Sequence, residues 1–221
     1  MNDDGNHIIV NHDEDTDHTD SVNSPASSTN ANTTDAEPIV ADGLQIVRKS
    51  RRYISTVALS GVTAALVFAA TLLSIPAGTG TLNMGDGMIL LIAYVMGPIA
   101  LFPASIGAAL ADFFLGYTIY IPATFVIKAV MGFVAGLIMY RGEPSIPRKA
   151  MAFIVAELIM VGGYFLYEWL ILGLETATVQ APANLVQGSV AIAVAFVLTL
   201  AFKGIRNRVR LGFRKVSHLN Q

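Results

Sequence analysis

From Tyr53 to Phe202 the chain carries only ten charged residues, and that near-absence of charge excludes most folds that live in water. A soluble domain is about 25% charged; this chain is 14% charged with a mean hydropathy of +0.57. Ten of the sixteen acidic residues lie before residue 48, so the net charge of -2 averages an acidic start, an uncharged body and a basic end. The body divides at prolines and glycines into apolar runs: Tyr53–Ile75, Met88–Ala111 with Pro98 and Pro103 inside it, Pro122–Tyr140, about Ala150–Leu174, and Pro182–Phe202. Apolar runs of this length read as transmembrane helices.

The run around Met84–Phe114 is either one kinked span or two short ones meeting near Gly97–Pro103. The basic residues decide. Arg48, Lys49, Arg51 and Arg52 precede span 1; Arg141, Arg148 and Lys149 follow span 4; Lys203, Arg206, Arg208, Arg210, Arg214 and Lys215 follow the last. With six spans all of these fall on one face, which the positive-inside rule makes cytoplasmic; with five they split. The expected fold is therefore all-α and polytopic, with six transmembrane helices and both termini cytoplasmic. Spans 2 and 3 are then about 15 to 18 residues, or roughly 22 to 27 Å, short for a hydrocarbon core of about 30 Å. Helices this short are tolerated where other protein covers them or they line a cavity.

Three segments follow: residues 1–47 as a disordered acidic tail, 48–205 as the six-helix membrane domain, and 206–221 as a basic cytoplasmic tail. The first is too rich in Asp, Asn, Ser and Thr to bury an apolar core. His7, His12 and His18 stand among its aspartates, but nothing rigid fixes a metal-ligand geometry there. The first apolar run begins after residue 52, too late for a secretory signal, so span 1 is expected to act as its own insertion signal. No cysteine is present, which removes disulfides and thiolate sites. There is no Walker-type phosphate loop, no HExxH, no GxSxG, and no histidine between residues 19 and 217 to act as a base. Catalysis is not expected, and neither is a cofactor. The basic end, directly after a span, reads as an anchor for anionic lipid and not as a nucleic-acid site.

A charge at membrane depth costs a few kcal/mol and needs a partner or a purpose. The six-span topology places Asp112 near the outer end of span 3, Lys128 near the outer start of span 4 and Glu168 near the outer end of span 5. Asn184 and Gln187 fall in the outer third of span 6, and Asn83 and Asp86 enter from the loop before span 2. Gln180, Asn184 and Gln187 share one helical face; so do Glu157, Tyr164 and Glu168. Glu157 belongs to the cytoplasmic half and is set apart. Asp112 with Lys128 could be a neutralising ion pair, Glu168 and Trp169 interface residues, Asn184 and Gln187 interhelical hydrogen-bond partners. Convergence on one depth favours a solute site formed by Asn83, Asp86, Asp112, Lys128, Tyr164, Glu168, Asn184 and Gln187, with Tyr117, Tyr120 and Trp169 available to stack on a ring. Small residues at four-residue spacing, Gly61–Ala65–Ala69 and Gly132–Gly136, permit close helix approach, either within the bundle or to another membrane subunit.

The block that opens LNMGDG, passes through Gly97–Pro98, Ala111–Asp112, Gly116–Tyr117, Pro122 and Ile127–Lys128, and ends at Gly132 and Gly136 resembles the substrate-binding (S) components of energy-coupling factor (ECF) vitamin transporters. It is most similar to the riboflavin-type branch, with its hydroxymethylpyrimidine and pyridoxine carriers. The resemblance is dense over residues 60–140 and continues beyond mainly by topology. It implies a six-helix protein that captures a small vitamin from outside, with the loop between spans 1 and 2 as a lid. It also implies docking onto a transmembrane coupling subunit and two ATPase subunits, which hydrolyse the ATP. Gly61, Ala65 and Ala69 are nearest to the family's docking strip, although that strip begins with alanine. The acidic tail is outside the family pattern. A membrane scaffold with purely structural polar groups is the alternative; a channel is disfavoured because the polar groups stop at one depth.

Overall fold

The stretch Gly85–Leu115 crosses the bundle twice. In the computed structural model, which describes residues 36–77 and 80–214, it is divided into helix α2 (Gly85–Met96), a 3-10 turn (Gly97–Ala100) and helix α3 (Leu101–Leu115). Gly97 makes the break: its φ of 72° lies in the left-handed region, which a side chain disfavours, and Pro98 cannot extend the preceding helix. The directions follow from contacts with α4 (Ile121–Met139). Asp86 and Gly97 on the α2 side meet Lys128 and Gly136, so α2 runs parallel to α4. Ala104 meets Gly132 and Asp112 meets Thr124, so α3 runs antiparallel to it. Two crossings here, with four long apolar helices elsewhere, make six transmembrane helices. The protein is a multi-pass membrane protein.

Helix α2 has twelve residues, about 18 Å at 1.5 Å per residue. That is shorter than expected, because the turn after it takes up the next four residues. Ten of its residues are buried, including Ile89, Leu90, Ala93 and Tyr94, as suits a helix apolar on every side. It never meets lipid along most of its length, so it need not match the bilayer. Around it stand α4, α5 (Ile146–Leu172) and α6 (Leu174–Ala201), with α3 against α4. Their outward Leu, Ile, Val and Phe side chains, such as Val126, Leu158, Leu170, Val197 and Leu200, are exposed, the composition that acyl chains demand.

The two small-residue ladders part company. Gly132 and Gly136 are internal: a Cβ on Gly136 would lie 2.3 Å from the Gly97 backbone. Gly61, Ala65 and Ala69 instead lie on the open side of α1 (Ala36–Leu72), and a Cβ on Gly61 would meet nothing within 4 Å.

Several boundaries differ from expectation. Helix α1 begins at Ala36, so residues 36–47 of the expected disordered tail are helical; adding a residue to a formed helix makes one bond per residue fixed, and Ala41, Leu44 and Ile46 suit it. Residues 1–35, with His7, His12 and His18, lie outside the described residues. The loop after span 1 contains an antiparallel ribbon, β1 (Ser74–Ala77) and β2 (Gly80–Asn83), with Ser74 opposite Asn83 and Ala77 opposite Gly80. Helix α6 starts eight residues before Pro182, which sits inside it. The proline deletes a single helical hydrogen bond there, while the real break is Gly173, at φ 97°. The chain after α6 folds into α7 (Lys203–Arg214), so the supposed tail starts inside a helix; residues 215–221 lie outside the described residues.

The end of the bundle where α4 meets α5 is basic. Arg206 of α7 is fully buried there. Its Nη2 donates to the carbonyls of Met139 (3.0 Å) and Gly142 (2.6 Å), and its guanidinium lies 4.2 Å from the centroid of the Tyr94 ring. Tyr94 in turn donates to Glu143 at 2.7 Å. Arg148 donates to the carbonyls of Ile138 (2.5 Å) and Arg141 (2.8 Å). Two arginines thus satisfy carbonyls that the end of α4 leaves without helical partners. Burial pulls the Arg206 guanidinium below its ordinary value and Glu143 raises it; an arginine stays charged through such shifts.

Candidate functional site

At the opposite end of the bundle, a cavity of about 330 Å³ opens among α1, β2 and α2 to α6. Its centre is built from the first turn of α2. Asp86 is the second residue of that helix and fully buried, so its carboxylate sits where the free N–H groups of a helix start favour negative charge. Lys128, also buried, donates to Oδ1 of Asp86. Gln187 of α6 donates to Oδ2 at 2.7 Å and accepts from Asn83 at 3.4 Å. Asn83 in turn accepts from the Gly85 amide at 3.0 Å, which ties the end of β2 to the start of α2. One chain of polar contacts therefore joins β2, α2, α4 and α6. An isolated charge at this depth would cost several kcal/mol; here each of the two groups has the other as its partner.

The partner of Lys128 is Asp86; the alternative in which Asp112 and Lys128 form a neutralising ion pair is not what the structure holds. Asp112 lies near the end of α3, across from Thr124 of α4. The Asp86 carboxylate reaches Lys128 because α2 runs parallel to α4 and begins level with the end of the second turn of α4, where Lys128 stands.

The other wall comes from α5, α6 and the 3-10 turn Thr118–Tyr120. Tyr164 shares a 2.8 Å hydrogen bond with Thr124, and its ring faces Lys128 Nζ at 5.2 Å. Glu168, one turn further along α5, is 3% exposed and accepts from Tyr120 at 3.4 Å. Tyr167, between them, instead donates to the Ile119 carbonyl and fixes the turn. From α6 come Gln180, Asn184 and Gln187 on a single face.

All eight residues expected at the site, Asn83, Asp86, Asp112, Lys128, Tyr164, Glu168, Asn184 and Gln187, line this one cavity, and so do Tyr117 and Tyr120. Trp169 does not. It is 50% exposed, because one residue beyond Glu168 is about 100° further round the helix, at 3.6 residues per turn. Glu157 is not among the residues that line the cavity; it is buried, faces Gly188 and acts electrostatically on Lys128. The antiparallel α5 and α6 bring its level close under the ion pair. Thr71 and Thr124 were not foreseen. Thr124 stands four residues before Lys128, a same-face spacing that could have found it; Thr71 bonds back to the Val67 carbonyl like any helical threonine and gave no signal.

The lining carries three carboxyl groups, Asp86, Asp112 and Glu168, against one ammonium, Lys128. Three tyrosine rings, Tyr117, Tyr120 and Tyr164, complete it. Such a site offers hydrogen bonds and stacking to a small polar ring; it holds no nucleophile paired with a base.

The geometry meets close relatives in sequence. The model of the ECF-type riboflavin transporter S component family matches residues 52–204, well over half of the chain. An uncharacterized protein of Pyrococcus woesei is 33% identical over 114 residues, which cover 51% of this chain and 76% of that protein. The thiamine precursor transporter HmpT of Lactococcus lactis subsp. cremoris is 32% identical over 108 residues, 49% of this chain and 59% of that one.

Proposed function

The chain belongs to the ECF-type riboflavin transporter S component family, a family of transporter substrate-binding subunits and not of enzymes, and from that membership we propose that it captures a small water-soluble vitamin or vitamin precursor for import. The observation that carries this reading is the convergence of eight costly polar side chains from β2 and five helices on one cavity. Purely structural polar groups would satisfy one another pairwise. Here several face open space.

The cavity faces the outside in this reading. The basic cluster Arg141, Arg148, Lys149, Lys203 and Arg206 stands at the other end and orients it to the cytoplasm by the positive-inside rule, in the plasma membrane of a prokaryote. The ribbon β1–β2 supplies Asn83 to the cavity rim and is the element placed to cover a bound solute. The sequence has no Walker-type phosphate loop, and in this reading the energy comes from partners: a transmembrane coupling subunit with two ATPases. The exposed strip Gly61, Ala65 and Ala69 is proposed as the docking surface, since small residues on an open helix face allow close approach of a second helix. Riboflavin, pyridoxine and hydroxymethylpyrimidine are the substrate types in view.

Mass spectrometry of solute retained by the purified protein tests the reading, together with affinity purification from native membranes. A ring-bearing vitamin in the first and ATPases plus a second multi-pass protein in the second are expected. A protein that is solute-free and brings down neither partner is a scaffold.

A further inference from the structure

The two walls of the cavity differ in what they leave unmade. On the β2–α2–α4–α6 side the polar groups satisfy one another: Asp86 takes Lys128 and Gln187, and Gln187 takes Asn83. On the α5–α6 side they do not. Oε2 of Glu168 is buried with no hydrogen-bond partner among the described residues, and so is Oε1 of Gln180. Both residues line the cavity. The Tyr120 hydroxyl interacts with both and holds them side by side, yet its bond to Glu168 is long, 3.4 Å. A buried acceptor left without a donor costs about 1–3 kcal/mol, and two adjacent ones persist in a folded protein when something else supplies the donors.

We propose that Glu168 and Gln180 form the specificity wall of the site and select a heteroaromatic ring that carries an amino group on the edge facing them. This rests on the capture reading above and names its ligand class. An amino group offers two N–H donors, one for each orphan acceptor, while the ring lies among Tyr117, Tyr120 and Tyr164. A ring that presents a carbonyl at the same edge sets acceptor against acceptor. A phosphate ester is refused for a further reason: Asp86 already occupies Lys128, so the charge left over in the lining is acidic.

The test is calorimetric titration of the full chain in detergent with four probes: hydroxymethylpyrimidine bearing its ring amine, the pyrimidinone in which a carbonyl replaces that amine, pyridoxine, and riboflavin. The amine-bearing pyrimidine is expected to bind tightest, at least about tenfold above the pyrimidinone, the ratio that one unmet buried acceptor implies. In E168Q, whose amide can donate to a carbonyl, the preference should fall below about threefold, chiefly through weaker binding of the amine. Gln180→Leu should reduce it in the same direction. The wild-type comparison stands even if a variant fails to fold. Equal binding of the two pyrimidines, or tightest binding of pyridoxine or riboflavin, overturns the amino-edge selection and leaves vitamin capture standing. Binding of none of the four overturns both.

Discussion

Lys128 of α4 donates to Asp86, forty-two residues earlier in the chain and at the first turn of α2, and both side chains are all but removed from solvent. The contact sets the level at which two parallel helices begin. It also leaves the floor of the cavity electrically neutral.

Removing one partner strands the other charge. Lys128→Ala or Asp86→Ala should each cost about 3–5 kcal/mol, the usual penalty for an uncompensated buried charge. The double variant Asp86→Asn with Lys128→Met should recover most of that loss. Thermal unfolding in detergent reads the difference, and additive losses would show that the pair is not coupled.

Gly136 and Gly97 bring α4 and the α2–α3 turn into backbone contact, with 2.3 Å left for a Cβ on Gly136. Gly136→Ala should destabilise by about 1–3 kcal/mol through overpacking and Gly136→Val by more. Gly61→Ala, made where nothing lies within 4 Å, should leave the unfolding temperature unchanged apart from a small gain in helix propensity.

Arg206 clasps the end of α4 from α7. Arg206→Gln loses a charged donor to two carbonyls and the contact with Tyr94, about 1.5–3 kcal/mol for a hydrogen bond to a charged group. Hydrogen exchange of the α7 amides should quicken, with little change in ligand affinity at the far end. Arg208→Gln, on an exposed position, is the control, and equal exchange in the two variants would remove the clasp.

Ala65→Trp places a large ring on the open face of α1. Ligand binding should persist while recovery of ATPases in affinity purification from native membranes falls at least tenfold, as expected for a bulky group on a close-packed helix contact. Unaltered recovery moves the docking surface elsewhere.

Much of this was legible in the residues. Spans, their number and the one-sided distribution of Arg and Lys followed from apolar periodicity and charge, which act along the chain. The level of Asp112, Lys128 and Glu168 followed from rise per residue. What could not be read was lateral: depth along the chain leaves both Asp86 and Asp112 near Lys128, and the packing of α2 and α3 on α4, which sets Asp86 against Lys128 and Asp112 against Thr124, chooses between them. The contact of Glu157 with Gly188 is lateral in the same way, since depth counted along α5 says nothing of how close α6 passes. The early start of α6 was masked by Pro182, a helix breaker in water that neighbouring protein accommodates here. Arg206 looked like one more tail charge because nothing in its local pattern says that Tyr94, at the end of the most buried helix, waits for it.

Titration of a ring-bearing vitamin into wild type, Asn184→Ala and Lys128→Ala bears most directly on the solute site. Asn184 lines the cavity outside the Asp86 network, so its variant separates binding from folding. Affinity should fall at least tenfold in each, about 1.4 kcal/mol or more. Wild-type affinity retained in both would contradict a site built from these side chains.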